Sequence, residues 1–172
     1  MNKLAISRRS FLATVPAAAA MATLVPRHAV AGSGTTPPSE KLNIACIGLG
    51  WPGCKDTDAL SSTNNIVALC DLDTRQAPAF RKKYAQAQQF QDYRKMFDRL
   101  EKSIDAVIVA TPDHTHAVVA MAAIRRGKHV YCEKPLAHSI HEVRTLMNAA
   151  VEHKVVTQLG NQGHASESIR VF

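Results

Sequence analysis

Aromatic residues are scarce in this chain of 172 residues: five Phe, three Tyr and one Trp, 5% in all. Nothing interleaves them with basic residues, so there is no stacking platform for single-stranded nucleic acid. Acidic residues are missing from the first 31 positions, where Lys3, Arg8, Arg9 and Arg27 stand unopposed. The formal charge of +7 therefore falls to 17 basic against 14 acidic residues, or +3, over the remainder. That excess is too small to hold a phosphate backbone, which excludes nucleic acid as a partner.

A long apolar run is also lacking. The stretch from Phe11 to Val25 is Ala-rich, broken by Pro16 and shorter than the ~20 residues a spanning helix needs, which excludes a stable membrane anchor. None of the four cysteines (Cys46, Cys54, Cys70, Cys132) stands in C-x-x-C spacing, and three fall inside apolar strand-like runs. Buried core thiols are expected in place of zinc or disulfides. His114 and His116 form H-x-H, and His138 and His141 are spaced i, i+3, but no third ligand is placed to close a site. No metal is expected.

What is present begins with "SRRSFLATVPAAAAMATLVPRHAVAG": twin arginines, a mildly apolar run, then the small-x-small pattern Ala29-Val30-Ala31. Residues 1–31 are expected to be a twin-arginine export signal, with the export machinery as partner and a periplasmic or otherwise exported destination. Residues 32–40, "GSGTTPPSE", have nothing to bury and are expected to be a linker. The whole chain is 46% apolar, and residues 41–172 are long enough for one well-buried domain.

From Leu42 onward, apolar runs alternate with helical patterns. "LNIACIG", "NIVALCD", "DAVIVAT", "KHVYC" and "KVVTQLG" are strand candidates, with a weaker one at "QQFQD"; helices are expected over 53–62, 76–85, 93–100, 116–126 and 140–153. This pattern predicts an α/β fold, a doubly wound parallel sheet with helices on both faces. Ser139 and Glu142 make a capping box, and Asp113 is expected to cap the helix that carries Val118, Met121 and Ile124 inward. "HASESIRVF" begins one more helix.

"NIACIGLGWPGCKD" sets Gly48, Gly50 and Gly53 in G-x-G-x-x-G spacing between a strand and a helix. The first glycine permits the turn, the second leaves room for a diphosphate, and the third lets helix and strand pack closely. The N–H groups at the helix start face the anion. Asp71, 18 residues after Gly53 at the end of the second strand, is placed to bind an adenosine ribose. Together these predict the Rossmann dinucleotide-binding fold, with NAD favoured over NADP because a carboxylate repels the extra phosphate. Arg75 is expected to pair with Asp71 or Asp73.

Ligands of such sheets lie beyond the carboxyl ends of the strands, and there stand "TPDHTH", "CEKP" and "GNQGH". The run "IDAVIVATPDHTHAVVAMAAIRRGKHVYCEKPLA", with the glycine motif, resembles the cofactor half of the Gfo/Idh/MocA oxidoreductase family, from about Lys41 to the last residue. Members act on sugars, inositols and related polyols with NAD(P). By that resemblance Lys134 is the catalytic group at the reacting carbon. Glu133 and Lys134 reach the nicotinamide ribose, and the Lys134-Pro135 bond is cis. Thr111, Pro112, Asp113 and His116 border the dinucleotide, and Asn161 meets its nicotinamide end. Trp51 and Pro52 fill the variable positions of the glycine motif beside the cofactor, and "GNQGH", with Gln162 and His164, departs from the more common "FNRR"-like segment.

An ammonium at the position of Lys134 can stabilise or relay charge as a carbinol becomes a carbonyl. The family follows this layer with a second domain that holds most substrate contacts. The chain is therefore expected to be the NAD-binding half of an exported oxidoreductase, truncated before its substrate domain and without turnover alone. Its partner is a small carbohydrate-like substrate, and a homo-oligomer is left open for the full length. An NAD-dependent glycosidase of the same family, or a non-catalytic dinucleotide-binding module, are the alternatives.

Overall fold

The computed structural model describes residues 40–165 and 167–170. The expected export signal and residues 32–39 of the linker lie outside the described residues. From Lys41 onward the chain is one compact unit.

Six strands form one sheet: β1 (Asn43–Ile47), β2 (Asn65–Cys70), β3 (Gln88–Phe90), β4 (Ala106–Val109), β5 (His129–Glu133) and β6 (Thr157–Gly160). All neighbours pair in parallel, in the order β3-β2-β1-β4-β5-β6. This is the doubly wound dinucleotide-binding order, whose crevice opens where the winding reverses, between β1 and β4. The weak candidate at "QQFQD" is a genuine edge strand, and the last strand is shorter than its apolar run, beginning at Thr157 after Lys154 takes φ 54°.

Side chains alternate along the central strands with period two. Ala45 and Ile47 face one layer with Val107, Val109, Met96 and Phe97, while Ile44, Cys46, Ile66 and Ile108 face the other. Helices α1 (Trp51–Ser61) and α2 (Pro78–Lys83) cover the second face; α3 (Tyr93–Leu100), α4 (His116–Ile124) and α5 (Ile140–Glu152) cover the first. Each fully buried large side chain such as Phe97 contributes roughly 1.5–3 kcal/mol, so burial on both faces holds the strand ends, and the loops on them, in place. A short α6 (Glu167–Arg170) follows β6.

The helix starts have local causes. Ser139 Oγ accepts from the Glu142 N–H at 3.2 Å and Glu142 Oε2 accepts from the Ser139 N–H at 2.9 Å, the expected capping box of α5. Asp92 caps α3, accepting from the Arg94 N–H at 2.9 Å. Asp113 does not cap α4: it opens a 3-10 turn (Asp113–Thr115), and its carbonyl, not its carboxylate, receives the His116 N–H. Val118 is 55% exposed, contrary to expectation, because Val119, Ala120, Ala123 and Ile124 set the inward face one residue later. Cys46, Cys70 and Cys132 are free buried thiols, as expected, and Cys54 is a partly buried one.

Candidate functional site

The turn from β1 into α1 is set by backbone crowding. Gly48 has φ +96°, and a Cβ there would lie 2.4 Å from the Ala110 carbonyl oxygen and 2.8 Å from the Thr111 nitrogen. Its N–H donates to the Cys70 carbonyl at 2.8 Å, which pins the turn against β2. A Cβ on Gly53 would lie 2.1 Å from the Gly48 oxygen. Both glycines are packed against protein. Gly50 is different: a Cβ there would meet only Pro52 Cδ, at 3.8 Å. The space in front of it is free for a ligand.

Gly50 is also the N-cap of α1, with no side-chain cap and no acidic residue in the first turn. The positive end of the helix and its unpaired N–H groups thus have no protein anion of their own. A cavity of about 1060 Å³ begins here and is lined by Gly48, Gly50, Pro52, Asp71, Thr111 and Pro112, among others. Asp71 accepts from the Leu49 N–H at 2.7 Å and from the Asp73 N–H at 2.9 Å. Two backbone donors, one of them within the glycine turn, fix its carboxylate beside that turn, and a carboxylate has further lone pairs for ribose hydroxyls. Arg75 pairs with Asp73 at 3.0 Å, so Asp71 keeps its charge unopposed by that guanidinium. Trp51, 75% exposed, lies under the Lys55 ammonium at 5.0 Å from the ring centroid. The glycines, Asp71 and the Thr111-Pro112 corner fit the diphosphate and adenosine of a dinucleotide.

The Thr111-Pro112 corner is tied inward. The Thr115 hydroxyl lies 2.7 Å from the Pro112 carbonyl and 2.8 Å from the Thr111 hydroxyl, so it donates to the first and accepts from the second. His116 does not border the cavity: it is 1% exposed. Its Nε2 lies 2.7 Å from the Thr111 carbonyl and its Nδ1 2.6 Å from the Pro135 carbonyl. The imidazole is a strut joining the two loops. Asp113 is exposed and does not line the cavity.

The cavity's lining includes none of Glu133, Lys134 or Asn161; past it, the carboxyl edge of the sheet continues to an end built from side chains. The Lys134-Pro135 peptide is cis. Within Glu133-Lys134-Pro135 the two charges part company: Glu133 turns inward at 6% exposure while Lys134 is exposed. Lys134 enters none of the ion pairs among the described residues. Glu133 Oε1 accepts from Gln162 Nε2 at 2.9 Å and Oε2 from the Lys134 N–H at 3.3 Å. Gly160 makes room for it, since a Cβ there would lie 2.7 Å from Oε1. Glu133 is thus spoken for by protein groups, and Lys134 is the member of the triplet that faces outward. Asn161, next to Gly160 in sequence, is exposed, its carbonyl receiving the His164 N–H at 2.9 Å.

Three residues of this end escaped the sequence: Asp56 of α1, Tyr131 of β5 and Gln162 as the partner of Glu133. Asp56 is buried, and its carboxyl is pushed up to about 7 by burial and then by contact with the Glu133 carboxylate. The Tyr131 phenol is pushed up to about 12 by burial and by the same two acids. One signal for Asp56 was available: Gly53-x-x-Asp56 is i, i+3, which sets the acid on the helix face that packs against the sheet. Among the described residues no group of three or more His, Cys, Asp or Glu gathers in a metal-binding arrangement.

A family model described as "Oxidoreductase family, NAD-binding Rossmann fold" (Gfo/Idh/MocA) matches residues 42–161. An inositol 2-dehydrogenase of Salmonella typhimurium is 32% identical over 124 residues, covering 69% of this chain and 36% of that protein. Among solved structures, GenD2 from gentamicin A biosynthesis in complex with NAD superposes with TM-score 0.69 and 26% identity over 76% of this chain and 37% of its own. Myo-inositol 2-dehydrogenase from Lactobacillus plantarum superposes with TM-score 0.67 and 27% identity, covering 76% and 39%. The chain spans a little over a third of the length of these relatives. NAD, favoured on the charge of Asp71, is the cofactor of the matched fold. The chain belongs to the Gfo/Idh/MocA oxidoreductase family, as its NAD-binding Rossmann portion.

Proposed function

We propose that this chain is the NAD-binding half of an oxidoreductase that moves hydride between the cofactor and a sugar, inositol or related polyol. The observation that carries it is the Gly50 turn: an uncapped helix N-terminus, open space where its Cβ would be, and Asp71 fixed beside it by two backbone donors. Gly48, Gly50 and Gly53 form the diphosphate cradle, Asp71 receives the adenosine ribose, and Thr111 and Pro112 wall the groove. NAD, when bound, supplies the hydride acceptor or donor.

At the other end Lys134 is the catalytic group. Its ammonium enters no ion pair among the described residues and is held on a turn whose preceding residue is anchored inside, so it can stabilise charge on a substrate oxygen or move its proton. The substrate class is supported by the inositol 2-dehydrogenase names of the relatives. Residues 1–31 carry the protein out of the cytoplasm through the twin-arginine route, folded around its cofactor; the check is retention in the cytoplasm when Arg8 and Arg9 are replaced by lysine.

Titration of the chain with NAD, followed by the Trp51 fluorescence beside the cradle, tests the function. Quenching that saturates is expected, with NADP weaker than NAD, and Gly50→Ala should lose it while keeping the fold. Undiminished NAD binding by Gly50→Ala would remove the cradle, and no binding by the parent chain would remove the function.

A further inference from the structure

Beside Glu133 lies the one buried side-chain oxygen that no hydrogen bond among the described residues accounts for. Asp56 is 9% exposed, and its Oδ2 is buried without a partner. Its side chain meets that of Glu133, which is 6% exposed and already accepts from Gln162 and from the Lys134 N–H. Two ionised carboxylates in contact in such a place repel, and the interior offers little to offset them.

The titratable groups that face the pair are few. Lys55, the next residue on α1, is the only cation acting on Asp56, and its ammonium lies over the Trp51 ring instead. Tyr131 of β5 is a neutral phenol that donates to Gln162 at 3.4 Å. Cys46 of β1 is a thiol that burial pushes up to about 12. None supplies a positive charge at the contact. A single proton does: protonated Asp56 donates to Glu133, whose oxygens go on accepting from Gln162 and from the Lys134 backbone.

We propose that Asp56 and Glu133 share one proton, and that this buried carboxyl pair ties α1 to the Glu133-Lys134-Pro135 turn, making Asp56 a positioning residue for Lys134. Three loops meet at that proton. Asp56 brings the helix that starts at the glycine cradle, Glu133 brings the Lys134 turn, and Gln162 brings the segment after β6. Sharing of the proton stands without any cofactor; its consequence at Lys134 rests on the proposed function.

The sign of the pH effect follows. An aspartate in the unfolded chain titrates at about 4, whereas Asp56 in the fold titrates at about 7. Between those values the folded state holds a proton that the unfolded state has lost, so stability falls as pH rises through this window and levels off above it.

The test is thermal unfolding of the whole chain across that window, with Asp56→Asn and Glu133→Gln as independent variants. Either amide supplies a permanent donor to the remaining carboxylate, so each should flatten the part of the slope that the pair contributes and melt above the parent at about pH 8. A carbon-detected NMR titration should place the Asp56 carboxyl near neutrality. Parent and both variants sharing one pH profile, or an Asp56 carboxyl that titrates near its unfolded value, overturns the pair. NAD titration of the same samples separates the two ideas. A chain with the slope but without NAD binding loses the proposed function and keeps the proton, and the reverse result does the opposite.

Discussion

The two ends of the sheet's carboxyl edge are made of different material. The glycine end is backbone: Gly48 and Gly53 sit against peptide atoms, Gly50 faces open space, and Asp71 is held by two main-chain N–H groups. The Lys134 end is side chain: Glu133 joins the buried Asp56 of one element to the exposed Gln162 of another. The backbone turn is crowded at Gly48 and Gly53 and open only at Gly50, whereas a side-chain network can be retuned one residue at a time. The glycine end is therefore the rigid one, and the Lys134 end the adjustable one.

The largest effect expected attacks that rigidity. Gly53→Ala would drive a methyl group to 2.1 Å from the Gly48 oxygen and 3.0 Å from Ala110 Cβ, and neither a peptide carbonyl nor an alanine Cβ can yield as the end of a flexible side chain would. A loss of about 3 kcal/mol is expected, at the upper end of overpacking costs, against roughly 0.5 kcal/mol or less for Gly50→Ala. Urea unfolding midpoints read the difference. Equal midpoints for the two variants would mean that the glycines are not divided into packed and ligand-facing members.

A smaller effect sharpens the boundary between the ends. His116 touches both: its ring nitrogens meet the Thr111 carbonyl of one loop and the Pro135 carbonyl of the other. His116→Leu keeps the apolar volume but removes the ring from between two part-buried carbonyl contacts, at up to about 1–3 kcal/mol for a carbonyl left unsatisfied. Hydrogen exchange should then quicken in both loops together. Quickening at only one would show that the ring is anchored on that side alone.

This division also explains what could be read from the sequence. Gly48, Gly50 and Gly53 were legible because a positive φ, a close backbone approach and a vacant Cβ direction leave no other residue type. The parallel α/β sheet followed from apolar runs alternating with helices, and the α5 cap from Ser139 and Glu142 three residues apart. The Lys134 end was harder because its contacts join residues distant in sequence, and nothing near Asp56 announces Glu133. His116 was read as a groove residue from its place in "TPDHTH", whereas the first turn of α4 rotates it into the core. The same rotation turns Val118 outward. Helix phase, fixed here by Val119 and Ala123, is a tertiary outcome that spacing alone leaves open.

The smallest structural effect, and the one that probes cofactor choice, concerns Asp73 and Arg75. Both line the cavity beside Asp71, and Asp73 engages Arg75 through three contacts: its backbone N–H at 2.9 Å, Nε at 3.0 Å and Nη2 at 3.0 Å. The guanidinium beside Asp73 holds that carboxyl below its usual range. Arg75 is 88% exposed, and exposed pairs of this kind contribute little to stability, so Asp73→Ala should leave the melting temperature where it was. What it changes is the fate of the guanidinium. Freed from Asp73, Arg75 can turn toward a ribose 2′-phosphate, and one fewer carboxylate repels it, so NADP binding should strengthen relative to NAD. Asp71 still opposes the phosphate, which limits the shift to a change in ratio without a reversal of preference. Adding Arg75→Ala to Asp73→Ala should cancel most of the gain. If the double variant favours NADP as much as the single one does, repulsion by Asp73 and not release of Arg75 sets the choice, and the second acid of "DLD" belongs with Asp71 as a determinant of the backbone-built end.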